Sequence, residues 1–296
     1  MMQVFNAAPV LAQFPHARLL GEGAESRVFA LSESRVLRVP KGGSVGFWER
    51  RTEFCDRLAE LDLGFQTPVV VGRGEVGGVP FSIEERMMGK NLTATLPRLE
   101  GAARERAFDS YLDAVISLGT VSLGEHWYGE VLADEPVRAP TWVQFLCDRV
   151  RRHASTASSR ARADLPELDV LVADFCEEVL TIRVHSPHLV HGDFFPGNVI
   201  VDEAGHVMGV VDFASLTMAG DPAMDIAGAL AFLDITPGLR STDIQRLHER
   251  VQHLEPAALR RESTYRRFYA LSYLHAIDDP PLYRWCLETL RRRPTG

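Results

Sequence analysis

A chain of 296 residues, 46% hydrophobic and 24% charged, has the balance of a soluble globular protein and length for roughly two domains or lobes. That excludes a disordered, collagen-like or disulfide-stapled chain. The net charge of −8 gives no global basic field for nucleic acid phosphates. The four cysteines, Cys55, Cys147, Cys176 and Cys286, form no CxxC pair and fit a reducing compartment. The start, MMQVFNAAPVLAQFP, lacks a basic n-region and a long apolar h-region, and no apolar run approaches the ~20 residues of a membrane span. The expectation is a cytoplasmic protein with neither a nucleic acid nor a membrane partner.

Residues 17–40 alternate apolar and polar around two glycines and predict three short antiparallel strands. Phe47, Phe54, Leu58 and Leu61 lie at helical spacing, predicting an amphipathic helix over 45–61. The segment TPVVVGRGEVGGVPFSIEERMMG then predicts two more strands about a Gly-rich turn, ending near Gly89. From 91 to 185 the period is mostly helical, with STASSRARADLPE (155–167) as an exposed connector. Residues 189–213 return to short strands, including a hairpin that turns over Glu203, Ala204 and Gly205. Beyond Asp225 the pattern is helical to the end.

The strongest chemical signal is His191-Gly192-Asp193 followed by Asn198, with Asp212 fourteen residues further on. An Asp and an Asn five residues apart on a loop can converge with an Asp that ends the next hairpin. Phosphoryl transfer needs that set: a carboxylate to orient and deprotonate the acceptor hydroxyl, and two hard oxygen ligands for Mg²⁺. His185 and His188 extend His191 into an HxxHxxH string, but Pro187 breaks the helix that would align them.

The strings LVHGDFFPGN, VVDFA and GDPAMDIA resemble the aminoglycoside phosphotransferase family of protein-kinase-like small-molecule kinases. The resemblance runs from Gly21 to Asp225. It implies an α+β, two-lobed, protein-kinase-like fold: an N-lobe of antiparallel sheet and one helix over 1–89, and a larger, mostly helical C-lobe over 90–296. It also implies that Asp193 is the catalytic base within the His191 loop, that Asn198 and Asp212 bind Mg²⁺, and that Asp225 braces the loop. The donor would be ATP or GTP.

In the same likeness Gly21, Gly23, Ser26 and Val28 follow the kinase pattern G-x-G-x-x-G-x-V, with Ser26 at the third glycine. The turn leads into a strand rather than a helix, which excludes a dinucleotide-binding reading. Val36-Leu37-Arg38-Val39 stands where protein kinases have V-A-I-K, so Arg38 takes the lysine position. A guanidinium there can still grip two phosphate oxygens. Lys41, one of only two lysines, lies past a proline and is expected to face the other side. Glu53 on the following helix is the expected partner of Arg38, with Glu49 as the spare. FSIEERMMG resembles the hinge, with the backbone of Glu85 and Met87 against the base.

Gly192 replaces the arginine of H-R-D, only eight residues separate Asp212 from Asp221, and A-P-E is missing. These departures disfavour a protein substrate and control by loop phosphorylation. The acceptor is a small hydroxylated molecule: an aminoglycoside, another antibiotic, or a metabolite such as a sugar, choline or homoserine. Phe194 and Phe195 are candidates for its pocket. The basic tail RRRPTG would make a poor wall for a polycation. The competing reading from another class is a non-catalytic nucleotide-binding pseudokinase, motivated by Arg38 and Ser26.

Overall fold

A computed structural model describes residues 4–23 and 25–292. The last residues of the RRRPTG tail, 293–296, lie outside the described residues. The N-terminal part opens with the short helix α1 (Ala8–Gln13), then β1 (Arg18–Glu22), β2 (Ser26–Ala30), β3 (Arg35–Pro40), helix α2 (Val45–Ala59), β4 (Val70–Val76) and β5 (Val79–Glu85). The five strands form one antiparallel sheet in the order β1-β2-β3-β5-β4. The β4–β5 turn falls on Gly77 and Gly78, with φ of 60° and 79°, the left-handed pair that a two-residue hairpin of matching twist requires. One face of the sheet buries Phe29, Leu37, Val39 and Val79 against Phe5 and Val10. The alternate residues Ser26, Arg38, Ser82 and Glu84, all buried, occupy the opposite face toward α2, as period-2 alternation requires.

The α2 helix starts because Ser44 caps it, its Oγ accepting from Phe47 N. Its buried stripe is Phe47, Trp48, Arg51, Phe54, Cys55 and Leu58, and Leu61 falls beyond its end, 45% exposed.

The remainder is largely helical: β6 (Lys90–Asn91), α3 (Leu92–Thr95), α4 (Gly101–Gly119), β7 (Tyr128–Glu130), β8 (Arg138–Ala139), α5 (Trp142–Ser155), α6 (Ser159–Asp164) and α7 (Leu168–Glu178) precede the loop motif. After them come β9 (His188–Val190), β10 (Val199–Val201), β11 (Val207–Val210), β12 (Met218–Gly220), α8 (Ala223–Ala231), α9 (Ser241–Leu254), α10 (Pro256–Ser272) and α11 (Pro280–Arg291). The main core lies here, around Tyr111, Phe145, Phe175, Tyr265 and Tyr269. Two short sheets, β11-β10-β6 and β8-β7-β12-β9, carry the loops that bear the motif.

The 155–167 segment is mostly exposed, as expected of a connector, but it carries the helix α6, which the sequence did not predict. Ser158 caps α6 by accepting from Ala161 N at 3.1 Å, and Ala161 and Leu165 are fully buried. Two apolar residues at i and i+4 suffice to dock a short helix that a Ser- and Arg-rich sequence hides.

Candidate active site

The loop after β9 is fixed before it offers any chemistry. Asp225, buried in the first turn of α8, accepts from the amides of His191 at 2.5 Å and Gly192 at 2.9 Å. Gly192 has φ of 80°, and a Cβ there would lie 2.0 Å from the carbonyl oxygen of Leu216, so only glycine fits. His191 Nε2 lies 2.9 Å from the Val211 carbonyl, an acceptor, so this nitrogen carries the hydrogen. Nδ1 is then free to accept the amide of Asp193 at 3.3 Å.

This bracing fixes the backbone on the N-terminal side of Asp193. Asn198 Nδ2 donates to its backbone oxygen at 2.9 Å and to its Oδ2 at 3.1 Å. Tyr273, just past α10, donates to its Oδ1 at 2.7 Å. Burial pushes the Asp193 carboxyl up to about 6; the tyrosine and asparagine hydrogen bonds oppose that rise and the Asp212 charge adds to it. Burial likewise lifts Asp225 to about 6, against the stabilising His191 and the two amides.

Asp212 follows β11 with φ of 72°, the only non-glycine in the left-handed region among the described residues. Its Oδ1 accepts from Arg38 Nη1 at 3.4 Å, and the same nitrogen donates to Ser26 at 2.6 Å. Arg38 therefore sits between the glycine turn and Asp212. Val28 is its cross-strand partner. Gly23 lies close enough to Asp212 that a Cβ there would be 3.8 Å from Oδ2. Gly21 has open space where a side chain would be. Lys41, expected to face away, instead bonds the carbonyl of Gly23 at 3.1 Å and pairs with Glu22 at 2.9 Å. It lies beyond the end of β3, so the alternation of that strand does not bind it.

The expected Arg38–Glu53 pair is not formed. Arg38 Nε donates instead to Glu84 on β5, at 3.2 Å. Position 53 is roughly 200° around the helix from Arg51, and Glu53 is exposed, as is Glu49. The stripe of α2 that faces the sheet carries Arg51, which donates to Glu84 at 2.9 Å. Burial would raise the Glu84 carboxyl, but Arg38 and Arg51 outweigh it and hold it down to about 2. Glu84 and Arg51 escaped the sequence reading, although Ser82 and Glu84 alternating with Phe81 and Ile83 marked an inward polar pair. Tyr273 carried no local signal.

At the expected hinge, the amide of Glu85 is already bonded to Val69 O at 2.9 Å, while that of Met87 has no backbone partner among the described residues. Phe194 is fully buried against Tyr111, with ring centroids 5.0 Å apart, and Phe195 packs on Phe232 at 6.3 Å. Both make core contacts.

The donor set suits Mg²⁺. Asp212 supplies carboxylate oxygens, and Asn198 Oδ1 accepts no hydrogen bond among the described residues because Nδ2 makes the bonds to Asp193. Mg²⁺ takes one or two such oxygens and completes its octahedron with phosphates and water.

A cavity of about 820 Å³ is lined by Glu25 and Lys41 on the N-terminal side and by Glu130, Arg149, His153 and Ser215 on the other. Glu25 accepts from Ser215 across it, and Glu130 pairs with Arg149. His153 stacks on His275 and that on Tyr273, at centroid separations of 6.0 and 6.2 Å, so the wall leads toward Asp193.

The chain's structure is similar to the streptomycin–ATP ternary complex of APH(2'')-IIa, with 19% identity, TM-score 0.66 and 98% of each chain covered. It is also similar to the ADP and streptomycin complex of aminoglycoside phosphotransferase APH(3'')-Id from Streptomyces rimosus, with 16% identity, TM-score 0.56, and 90% of this chain and 96% of that one covered. At such identities the likeness establishes the kinase-like fold. No curated protein matches the chain by comparison. The sequence pattern of the Phosphotransferase enzyme family does match, over residues 16–280, and with the loop, the two acidic positions and the fold in agreement the chain belongs to that family.

Proposed function

We propose that this phosphotransferase moves the γ-phosphoryl group of Mg²⁺-bound ATP or GTP to a hydroxyl of a small molecule. The setting of Asp193 carries this reading. Its carboxyl is held at both oxygens and has an affinity for protons close to that of a base working near neutrality. Asp193 takes the acceptor's proton as the acceptor oxygen bonds to phosphorus and the bond to the β-phosphate oxygen breaks. Its electron pair departs with the nucleoside diphosphate.

Asn198 and Asp212 would hold the ion, and bound Mg²⁺ supplies charge neutralisation between the β- and γ-phosphates. Arg38, oriented by Glu84, aims Nη1 at the space between Ser26 and Asp212, where a phosphate oxygen can replace either partner. Gly21, Gly23 and Val28 would cover the nucleotide, and the Met87 amide is the free hinge donor for its base.

The acceptor belongs in the cavity of about 820 Å³ that Glu25 and Ser215 line. Its wall carries both signs: Glu25, Glu130, Asp134 and Glu135 against Lys41, Arg149 and Arg152. Asp134 is matched by Arg50 at 2.7 Å and Glu135 by Arg152 at 3.3 Å. The structures similar to this chain hold streptomycin and, in others, kanamycin or gentamicin. A wall in which three of these four carboxylates are matched by arginines, Glu25 alone accepting only from Ser215, favours acceptors of low net charge over such polycations.

A mass-spectrometric transfer screen with Mg²⁺ and ATP or GTP tests the reading, across aminoglycosides, macrolides, sugars, choline and homoserine. A phosphorylated product seen with the intact chain and lost with Asp193→Ala supports it. Nucleotide binding with neither transfer nor Mg²⁺-dependent hydrolysis would replace it with the pseudokinase.

A further inference from the structure

Arg51 has a place that none of the chemistry so far requires. It is 1% exposed, on the inward stripe of α2, yet one of its bonds crosses to the C-terminal part. Nε donates to the carbonyl of Phe213 at 3.2 Å, and Nη1 donates to Glu84 Oε1 at 2.9 Å. Glu84 also receives Arg38 Nε and the Ser82 hydroxyl. One carboxylate thus ties α2, β3 and β5 to the residue that follows Asp212.

Asp212 needs such a tie. Its φ of 72° is a conformation that a non-glycine residue keeps only where its surroundings over-determine it. The preceding residue is pinned twice: the Val211 carbonyl accepts from His191 Nε2, and the Val211 amide donates to Asn198 O, each at 2.9 Å. On the other side of Asp212, the peptide that joins Phe213 to Ala214 is pinned at both ends: its carbonyl accepts from Arg51, and its amide donates to Thr217 Oγ1 at 3.1 Å. Of these anchors, only Arg51 comes from the nucleotide-binding sheet and its helix.

We infer that Arg51 is a positioning residue that sets the Asp212 carboxylate for the metal ion and, through Glu84, registers it against Arg38. The inference rests on the proposed role of Asp212 as a Mg²⁺ ligand. It gives α2 a cation where the family resemblance implied a carboxylate, with the carboxylate moved to β5. A guanidinium serves here because its rigid fork spans a carboxylate and a carbonyl at once, which a single ammonium does poorly.

The test compares Arg51→Met, Arg51→Lys, Glu84→Gln and Asp212→Asn with the unaltered full-length chain. Three properties are read: thermal melting, fluorescent ADP binding in EDTA, and Mn²⁺ binding to the ADP complex by electron paramagnetic resonance. Arg51→Met keeps Glu84 paired with Arg38, so no bare carboxylate is buried. It is expected to hold ADP in EDTA within about 2-fold while weakening Mn²⁺ by roughly 10–100-fold, the scale for losing a partner that orients a ligand. Arg51→Lys recovers part of that loss.

Unchanged Mn²⁺ affinity in a folded Arg51→Met would overturn the inference. So would an equal loss of metal-free ADP binding, which would assign Arg51 to packing alone. Should Arg51→Met not fold, Glu84→Gln decides: a selective Mn²⁺ loss supports the inference, and wild-type Mn²⁺ affinity sinks it. Asp212→Asn separates the two levels, because Mn²⁺ affinity that does not depend on Asp212 removes the metal-site reading itself.

Discussion

Tyr273 and Asp193 are 80 positions apart, yet the tyrosine hydroxyl donates to Asp193 Oδ1 at 2.7 Å. The bond favours the ionised carboxylate and works against the burial that raises its pKa to about 6. A base must be deprotonated to act, so kcat/KM should rise with pH through about 6 and level off above. Tyr273→Phe removes a stabiliser of the charged form and should move the rising limb to higher pH. A pH–rate profile of both proteins checks this, and a limb that stays put would separate Tyr273 from the base.

Asp193→Asn should lower turnover by at least about 10²-fold, the usual scale for a general base, while making the chain more stable in neutral solution. The sign follows from the raised pKa. Below about pH 4 the carboxyl is protonated folded and unfolded, and the variant gains nothing. Between there and about 6 the unfolded chain ionises first, so the wild type loses stability that asparagine keeps. Melting temperatures in EDTA at pH 4 and pH 8 should coincide at the lower value and diverge at the higher.

The two candidate partners of Arg38 should behave oppositely. Glu53 is exposed, so Glu53→Gln should leave stability within about 0.5 kcal/mol, as surface substitutions do, and transfer unaltered. Arg38→Met should lower transfer by about 10²-fold, the cost of removing one preorganised donor from a developing charge. Arg51 still compensates Glu84 in that variant, so it should fold. Steady-state rates with denaturant melts of both variants decide the matter.

Gly192→Ala places a Cβ 2.0 Å from the Leu216 carbonyl oxygen at φ of 80°. The loop must shift, and the two amides on Asp225 shift with it. A stability loss of about 2–3 kcal/mol, at the upper end for single substitutions, should accompany lost transfer. Chemical denaturation measures the first, and recovery of the wild-type midpoint would show that the loop tolerates a side chain.

Local pattern was enough to read the three N-terminal strands, α2, the β10–β11 hairpin and the loop from His191 to Asn198, because each is specified by alternation, helical period or turn residues within a short window. The spacing of Asp193, Asn198 and Asp212 was legible for the same reason: a loop and a hairpin of fixed length carry all three. The helix α6 was not, since Ala161 and Leu165 reveal their burial only once the rest of the main core supplies something to bury against.

The choice of ion-pair partner lay wholly with the tertiary structure. Glu53 and Arg51 share one helix, and their sequence positions allow either to face in. The packed stripe of Phe47, Trp48, Phe54, Cys55 and Leu58 turns Arg51 toward Glu84 and leaves Glu53 in water. Tyr273 meets Asp193 only because α10 packs against α8 and ends beside the loop. Residue types and short spacings are properties of the chain, so the reaction class could be read from them. Which carboxylate meets which cation is a property of packing, and only the folded chain fixes it.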